Sequence, residues 1–335
     1  MLQLFFKPKK TAEQLVRKVR DGLNTLDRGG HEADAANASI TKNLAIMKDM
    51  VYKGLNHSVE SGFSLSQLAQ QLYSTDLLLL LIKNLHRIQF EARKDVVQVF
   101  NNILIREFCS RLPTVDYICS KPAILYTMLG GYQHREISFS CGSMLRECAH
   151  HEPLAKIMVR SEEFFGLFDF IQHPAFDTSY DAFSTFSALL TTHKAMVAKF
   201  LEDNYDRMFG RYVLLLKSNN YVTRRESLKL LSDILLTRQN YHVMIKYVSD
   251  PNNLKLIMKL LVDKARYIQF EAFNVFKVFA ANPNHPRPIL KILLRNQQRI
   301  VLYLTRFLPM MTENKLFLEE KAVVIDMIQN LKPLE

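Results

Sequence analysis

The string Ile88-Gln89-Phe90-Glu91-Ala92 returns unchanged as Ile268-Gln269-Phe270-Glu271-Ala272, 180 residues further along the chain. An identity of that length at that separation points to one structural unit used repeatedly. Counted from Ile88, apolar residues fall at Ala92 (+4), Val96 (+8), Val99 (+11) and Phe100 (+12). The same offsets from Ile268 give Ala272, Phe276, Phe279 and Ala280, and from Ile137 they give Cys141, Leu145, Cys148 and Ala149. From Thr178 they give Ala182, Phe186, Leu189 and Leu190, and from Thr223 they give Ser227, Leu231, Ile234 and Leu235. The five starts are spaced by 49, 41, 45 and 45 residues.

Offsets of 4, 8, 11 and 12 follow a 3.6-residue period, so each segment reads as an amphipathic helix. Position +4 is always small, which lets a neighbouring helix come close, and +8 and +11 are mostly large. A period near 45 residues belongs to armadillo and HEAT arrays, with two or three helices per unit. One helix pair cannot cover its own apolar face, so neighbours must stack. The fold expected is all-α: an armadillo/HEAT-like, right-handed helical-repeat solenoid, a crescent of about six or seven repeats.

The chain has 335 residues, 48% of them hydrophobic. A chain of this size buries about three quarters of its unfolded surface. Ten glycines and eleven prolines are few, as helices joined by short turns require. The repeat passes through the middle without a linker, so residues 1–335 are read as a single helical-repeat domain. Asp27 to Asn37 reads as a flexible loop. Pro283, Pro286 and Pro288 break the helical pattern, after which Ile289–Phe307 and Glu319–Leu331 read as helices.

Met1 to Phe6 is too short for a signal-peptide core, and the longest apolar run, Leu77 to Ile82, cannot span a bilayer. The cysteines Cys109, Cys119, Cys141 and Cys148 lack CxxC spacing, and two of them lie in the apolar stripe. Buried, reduced thiols fit a cytoplasmic protein, with the nucleus and polarity sites left open.

No nucleotide-binding glycine loop, HExxH or calcium-binding loop is present. His150-His151-Glu152 has metal-ligating side chains, but adjacent helical residues diverge, so they read as turn histidines before Pro153. Glu162-Glu163 and Glu319-Glu320 read as solvated faces. The expectation is no enzyme, no metal and no cofactor. A net charge of +11 raises nucleic acid as the alternative partner, with basic groups at Lys7, Lys9, Lys10, Arg17, Lys18 and Arg20. Aromatic +2 residues Phe90, Phe139, Tyr180 and Phe270 would serve as stacking platforms. The +3 residues Glu91, Asp181, Glu226 and Glu271 read as an exposed acidic row that repels phosphate, so nucleic acid is not the preferred reading.

The fourth repeat breaks the +2 column with Arg225. Either Arg225 pairs with Glu226 or an acid of a neighbouring repeat, or the position serves an external partner. Tyr221, Arg225 and Lys229 recur at i, i+4 and i+8, so one helix face carries an aromatic and two cations. Tyrosine and arginine dominate protein-binding hot spots.

This chain resembles the mouse protein-25 scaffold family, also called the calcium-binding-protein-39 or hymA family. The resemblance covers nearly the whole chain. It rests on Lys94-Asp95-Val96, Val99 to Leu104, Pro113 to Cys119, Met144 to Cys148 and His151 to Ile157. It continues in Asn220 to Thr223, Ser227 to Leu231, Asn253 to Leu256, Ile268 to Ala272 and Val275 to Phe279.

The resemblance implies a non-catalytic adaptor that holds germinal-centre (STE20-type) kinases and STRAD-like pseudokinases in a closed, active conformation. It also implies a third kinase in a ternary complex, and roles in polarity and morphogenesis. A concave surface contacting the kinase's regulatory helix maps onto Phe176, Tyr221, Arg225 and Lys229. A carboxy-terminal pocket for a Trp-Glu-Phe-type tail maps onto Met258, with Arg295 at a family lysine position. Read from the residues alone, Met258 also fits an ordinary core methionine in the apolar helix Leu256 to Leu261.

Overall fold

The computed structural model describes residues 10–26, 32–53, 59–107, 110–309 and 313–333. Among them there are nineteen α-helices and no strand. The chain divides into two compact units, Met1–Thr192 and His193–Glu335.

The first unit contains α1 (Ala12–Leu26), α2 (Glu32–Lys53), α3 (Val59–Ser74), α4 (Leu77–Lys83), α5 (Phe90–Leu104) and α6 (Pro113–Ser120). It continues with α7 (Ala123–Gly130), α8 (Arg135–Ala149), α9 (Glu152–Val159), α10 (Glu162–Ile171) and α11 (Phe176–Thr191). The second unit holds α12 (Lys194–Asp203), α13 (Tyr205–Leu216), α14 (Tyr221–Leu236) and α15 (Tyr241–Val248). Its last four helices are α16 (Pro251–Leu261), α17 (Arg266–Ala280), α18 (Arg287–Thr305) and α19 (Lys315–Gln329).

The five segments marked by the repeat are α5, α8, α11, α14 and α17. Their twenty residues at +4, +8, +11 and +12 are all buried, as are the five starting residues. In the first unit α2 packs on α5, α5 on α8 and α8 on α11; in the second, α14 packs on α17. The residues at +4 (Ala92, Cys141, Ala182, Ser227 and Ala272) are each at most 1% exposed, which is the close approach that small side chains permit. Large side chains fill the remaining space: Phe186 stacks on Phe164 at 5.5 Å and meets Phe168 edge-on at 5.0 Å. Each fully buried phenylalanine contributes about 1.5–3 kcal/mol through removal from water. The fold is a helical repeat of the armadillo kind.

Helix starts follow local chemistry. Asn220 Oδ1 accepts from the backbone N–H of Val222 (2.9 Å) and Thr223 (3.3 Å), capping α14. Asp250 caps α16 and Asn314 caps α19 in the same way. Pro288 sits in the first turn of α18, where its missing N–H costs nothing. For that reason α18 begins at Arg287, two residues before the expected start. The terminal helix also begins earlier, at Lys315, because Asn314 supplies a cap.

The expected loop at Asp27–Asn37 needs correction. Residues 27–31 lie outside the described residues, whereas Glu32 to Asn37 form the opening turns of α2. Ala33, Ala35 and Ala36 are strong helix formers, and Glu32 and Asp34 favour a helix N-terminus. Lys7, Lys9 and Cys109 also lie outside the described residues.

The acidic +3 row is likewise corrected. Glu91 is exposed and Glu226 half-buried, but Asp181 and Glu271 are buried. Asp181 Oδ1 accepts from Arg146 Nη2 at 2.8 Å, and its Oδ2 accepts from Tyr132 Oη at 2.7 Å. Its charge is satisfied inside the protein and presents no barrier to phosphate.

Candidate functional site

The cationic face of α14 is positioned by its cap at one end and by burial of its opposite side. Thr223, Ser227, Leu230 and Leu231 point inward. The Tyr212 hydroxyl donates to the carbonyl of Ser227 at 2.7 Å, tying α14 to α13. Tyr221 is therefore 40% exposed, Arg225 half-buried and Lys229 exposed, all along one side of the helix.

Arg225 makes both of the internal pairs considered from the sequence, to Glu226 and to an acid of the neighbouring repeat. Its Nη1 donates to Glu226 Oε1 at 2.7 Å, its Nη2 lies 3.8 Å from Glu271 Oε1, and its guanidinium sits 5.6 Å from the Tyr267 ring centroid. Glu271 lies one repeat further on, and burial pushes its carboxyl pKa up, while the charges of Arg225 and Lys229 pull it back. The arginine thus offsets a costly buried acid, and its own buried Nε finds no acceptor among the described residues. Arg224, its neighbour, reaches Asp263 at 3.6 Å. Tyr267 is not singled out by the sequence, although it stands one position before the start of its repeat, Ile268.

Phe176 lies in the first unit as the opening residue of α11. It is 59% exposed and stacks on Tyr180 with ring centroids 5.8 Å apart. Asp177 beside it accepts from Arg135 of α8 at 3.1 Å, so the aromatic pair stands on a helix fastened to its neighbour. Phe90, Phe139 and Tyr180 are exposed as the +2 column requires, whereas Phe270 is half-buried beneath Phe317 at 5.6 Å.

Met258 is half-buried on α16, and Arg295 is exposed on α18. The two helices pack together, and Tyr303 Oη donates to the carbonyl of Leu261 at 2.7 Å. The same unit contains a concavity of about 780 Å³ between α15, α17 and α19, lined by neither Met258 nor Arg295. Sequence reading missed it, because its walls come from segments some eighty residues apart.

Among the described residues, no three or more His, Cys, Asp and Glu side chains gather where they could hold a metal ion. Among the described residues no helix is long and apolar enough to cross a membrane.

Stacked helical units that present exposed aromatic and cationic side chains define a helical-repeat scaffold. A profile described as Mo25-like matches residues 4–332. The chain is 46% identical over 331 residues to a mouse protein named calcium-binding protein 39-like, covering 99% of this chain and 98% of that one. It is 47% identical over 334 residues to MO25-like protein 2 of Caenorhabditis elegans, covering 98% of each. A crystal structure of an engineered protein, 15% identical, superposes with a TM-score of 0.50 over 96% of this chain and 79% of that one. The chain belongs to the Mo25-like family of scaffold proteins.

Proposed function

We propose that this protein is a non-catalytic activator of protein kinases. It binds a germinal-centre (STE20-type) kinase or a STRAD-like pseudokinase, alone or with a third kinase, and stabilises the closed, active arrangement. The observation that carries this reading is the face of α14, where Tyr221, Arg225 and Lys229 stand accessible in one line on a capped, packed helix. Membership of the Mo25-like family supports it. Phe176 in the first unit is proposed as a further contact, and Met258 and Arg295 as the seat of a partner's Trp-Glu-Phe-type tail. A half-buried thioether adapts to an inserted aromatic ring, and an exposed guanidinium can meet an acidic side chain. The compartment proposed for this work is the cytoplasm.

No chemistry is needed for this. A kinase that alternates between two arrangements is biased by any surface that binds only one of them. Converting a 1:99 population into 99:1 takes a differential affinity of about 5.5 kcal/mol. Two attachments on one partner raise the effective concentration of the second.

Arg225→Ala is expected to lower stimulation of a bound partner kinase by about tenfold or more, in the range of an interface hot spot. Its unfolding free energy should fall by about 1–3 kcal/mol, since the Glu226 pair is partly exposed but the buried Glu271 loses a counter-charge. A kinase assay beside a urea titration separates the two, and undiminished stimulation by the variant would remove the α14 face from the binding surface. Met258→Ala should weaken binding of a Trp-Glu-Phe peptide in a fluorescence titration; an unchanged curve would reject that seat.

A further inference from the structure

The concavity between α15, α17 and α19 is lined by none of the site residues assigned above. Tyr221 and Arg225 stand at the start of α14, whereas Leu236, at its far end, reaches this groove. One wall is Leu236 with Tyr241 and Met244, and the other is Leu316, Val323 and Met327 of α19. Val278 and Ala281 of α17 form part of the lining between them. Leu316 and Val323 are 66% and 51% exposed, and Leu236 and Tyr241 are exposed as well.

These residues form a seat rather than scattered surface apolar groups. Leu316, Val323 and Met327 recur at i, i+7 and i+11, so the α19 wall is a straight stripe about 16 Å long. Tyr241 and Met244 face it at i and i+3 from the opposite helix. The α19 wall is about three turns long, with the Lys277–Glu320 pair between Leu316 and Val323, and the wall from Tyr241 to Met244 is about one turn. A largely apolar cleft between helices is a shape that receives a third amphipathic helix. Two methionines, one in each wall, let the groove adjust to the side chains it takes.

The rim specifies charge. Lys277 Nζ and Glu320 Oε1 pair at 2.6 Å, leaving Glu319 exposed beside the α19 stripe as the unneutralised charge of the lining. On a chain of net charge +11 this is a local acidic spot bordering an apolar groove.

The geometry points to a second docking site, which takes an amphipathic helix of a partner protein with an apolar stripe flanked by arginine or lysine. The stripe fills the groove and the flanking cation meets Glu319. This site acts independently of the α14 face.

The test uses the full-length chain and a fluorescein-labelled helical peptide bearing leucines at i, i+4 and i+7 with flanking arginines. Anisotropy should rise to saturation with the wild-type protein. Val323→Glu should weaken binding about tenfold or more, and Glu319→Lys severalfold, at unchanged thermal midpoints, while Arg225→Ala leaves it intact. Equal binding by Val323→Glu, or equally tight binding of a peptide with glutamates in place of the arginines, overturns the proposal. So does a chain whose self-association, seen by sedimentation, is abolished by Val323→Glu while the peptide fails to bind, since the occupant is then a second copy. Displacement by decanoate of an apolar dye from a groove that does not take the peptide would assign it to a small apolar ligand instead.

Discussion

Replacing Asp181 by alanine is expected to lower the unfolding free energy by about 3–5 kcal/mol, the range for breaking a buried ion pair from one side. Asp181 is only 5% exposed, and its two oxygens receive Arg146 Nη2 and Tyr132 Oη. Around it, Tyr132 Oη and Thr185 Oγ1 are 2.7 Å apart, and Arg146 Nη1 donates to Thr185 Oγ1 at 3.0 Å. The loss of the carboxylate strands a half-buried guanidinium without its counter-charge and a buried hydroxyl without its strongest acceptor. Asp181→Asn keeps the shape and one acceptor, and should cost less, about 1–3 kcal/mol. Urea titrations of the three proteins measure this directly. If Asp181→Ala unfolds at the wild-type midpoint, the network is ornamental and α8 and α11 are held by apolar packing alone.

Gly142→Ala should be comparably damaging, at about 3 kcal/mol, although glycine in mid-helix is usually improved by alanine. The helix-propensity gain is about 1 kcal/mol. Against it, a β-carbon at this position would collide with Asp181 Oδ2 and would lie 2.6 Å from the Tyr132 hydroxyl and 2.9 Å from Arg146 Nη1. The methyl group can enter only by displacing the carboxylate from its partners, so the steric loss outweighs the propensity gain. The combined Gly142→Ala/Asp181→Ala variant removes the closest of the three contacts and should fall short of additivity by about 1–2 kcal/mol. A stabilised Gly142→Ala protein, or strict additivity in the double variant, would contradict this account of the glycine.

The repeat was legible because helical periodicity is a local signal. Ile88, Ala92, Val96, Val99 and Phe100 announce a buried stripe without knowledge of what covers it, and that stripe is buried in all five helices. Charges across helices were less legible. Asp181 and Glu91 occupy the same offset, yet one is enclosed by Arg146 and Tyr132 while the other is exposed and pairs with Lys94. Their difference lies in residues of neighbouring repeats that no spacing rule connects. Glu32 to Asn37 was misjudged for a related reason: the glycines and charges just before it suggested a loop, but the alanines decide the conformation. At the α14 face, the line of Tyr221, Arg225 and Lys229 could be read from the sequence. The Tyr267 ring beneath Arg225 and the second groove depend on packing and could not.

Two cysteines of α8, at +4 and +11 of its stripe, have a consequence for watching this protein move. Burial raises the Cys141 thiol to about 12 and drives Cys148 upward as well, so neither supplies appreciable thiolate in the folded state. Cys119, half-buried, is more accessible to reagents. Site-resolved alkylation kinetics at Cys141 and Cys148 therefore act as a clock for excursions in which α8 lifts from its neighbours. The first unit carries its own native reporters of how often it breathes, needing no engineered label.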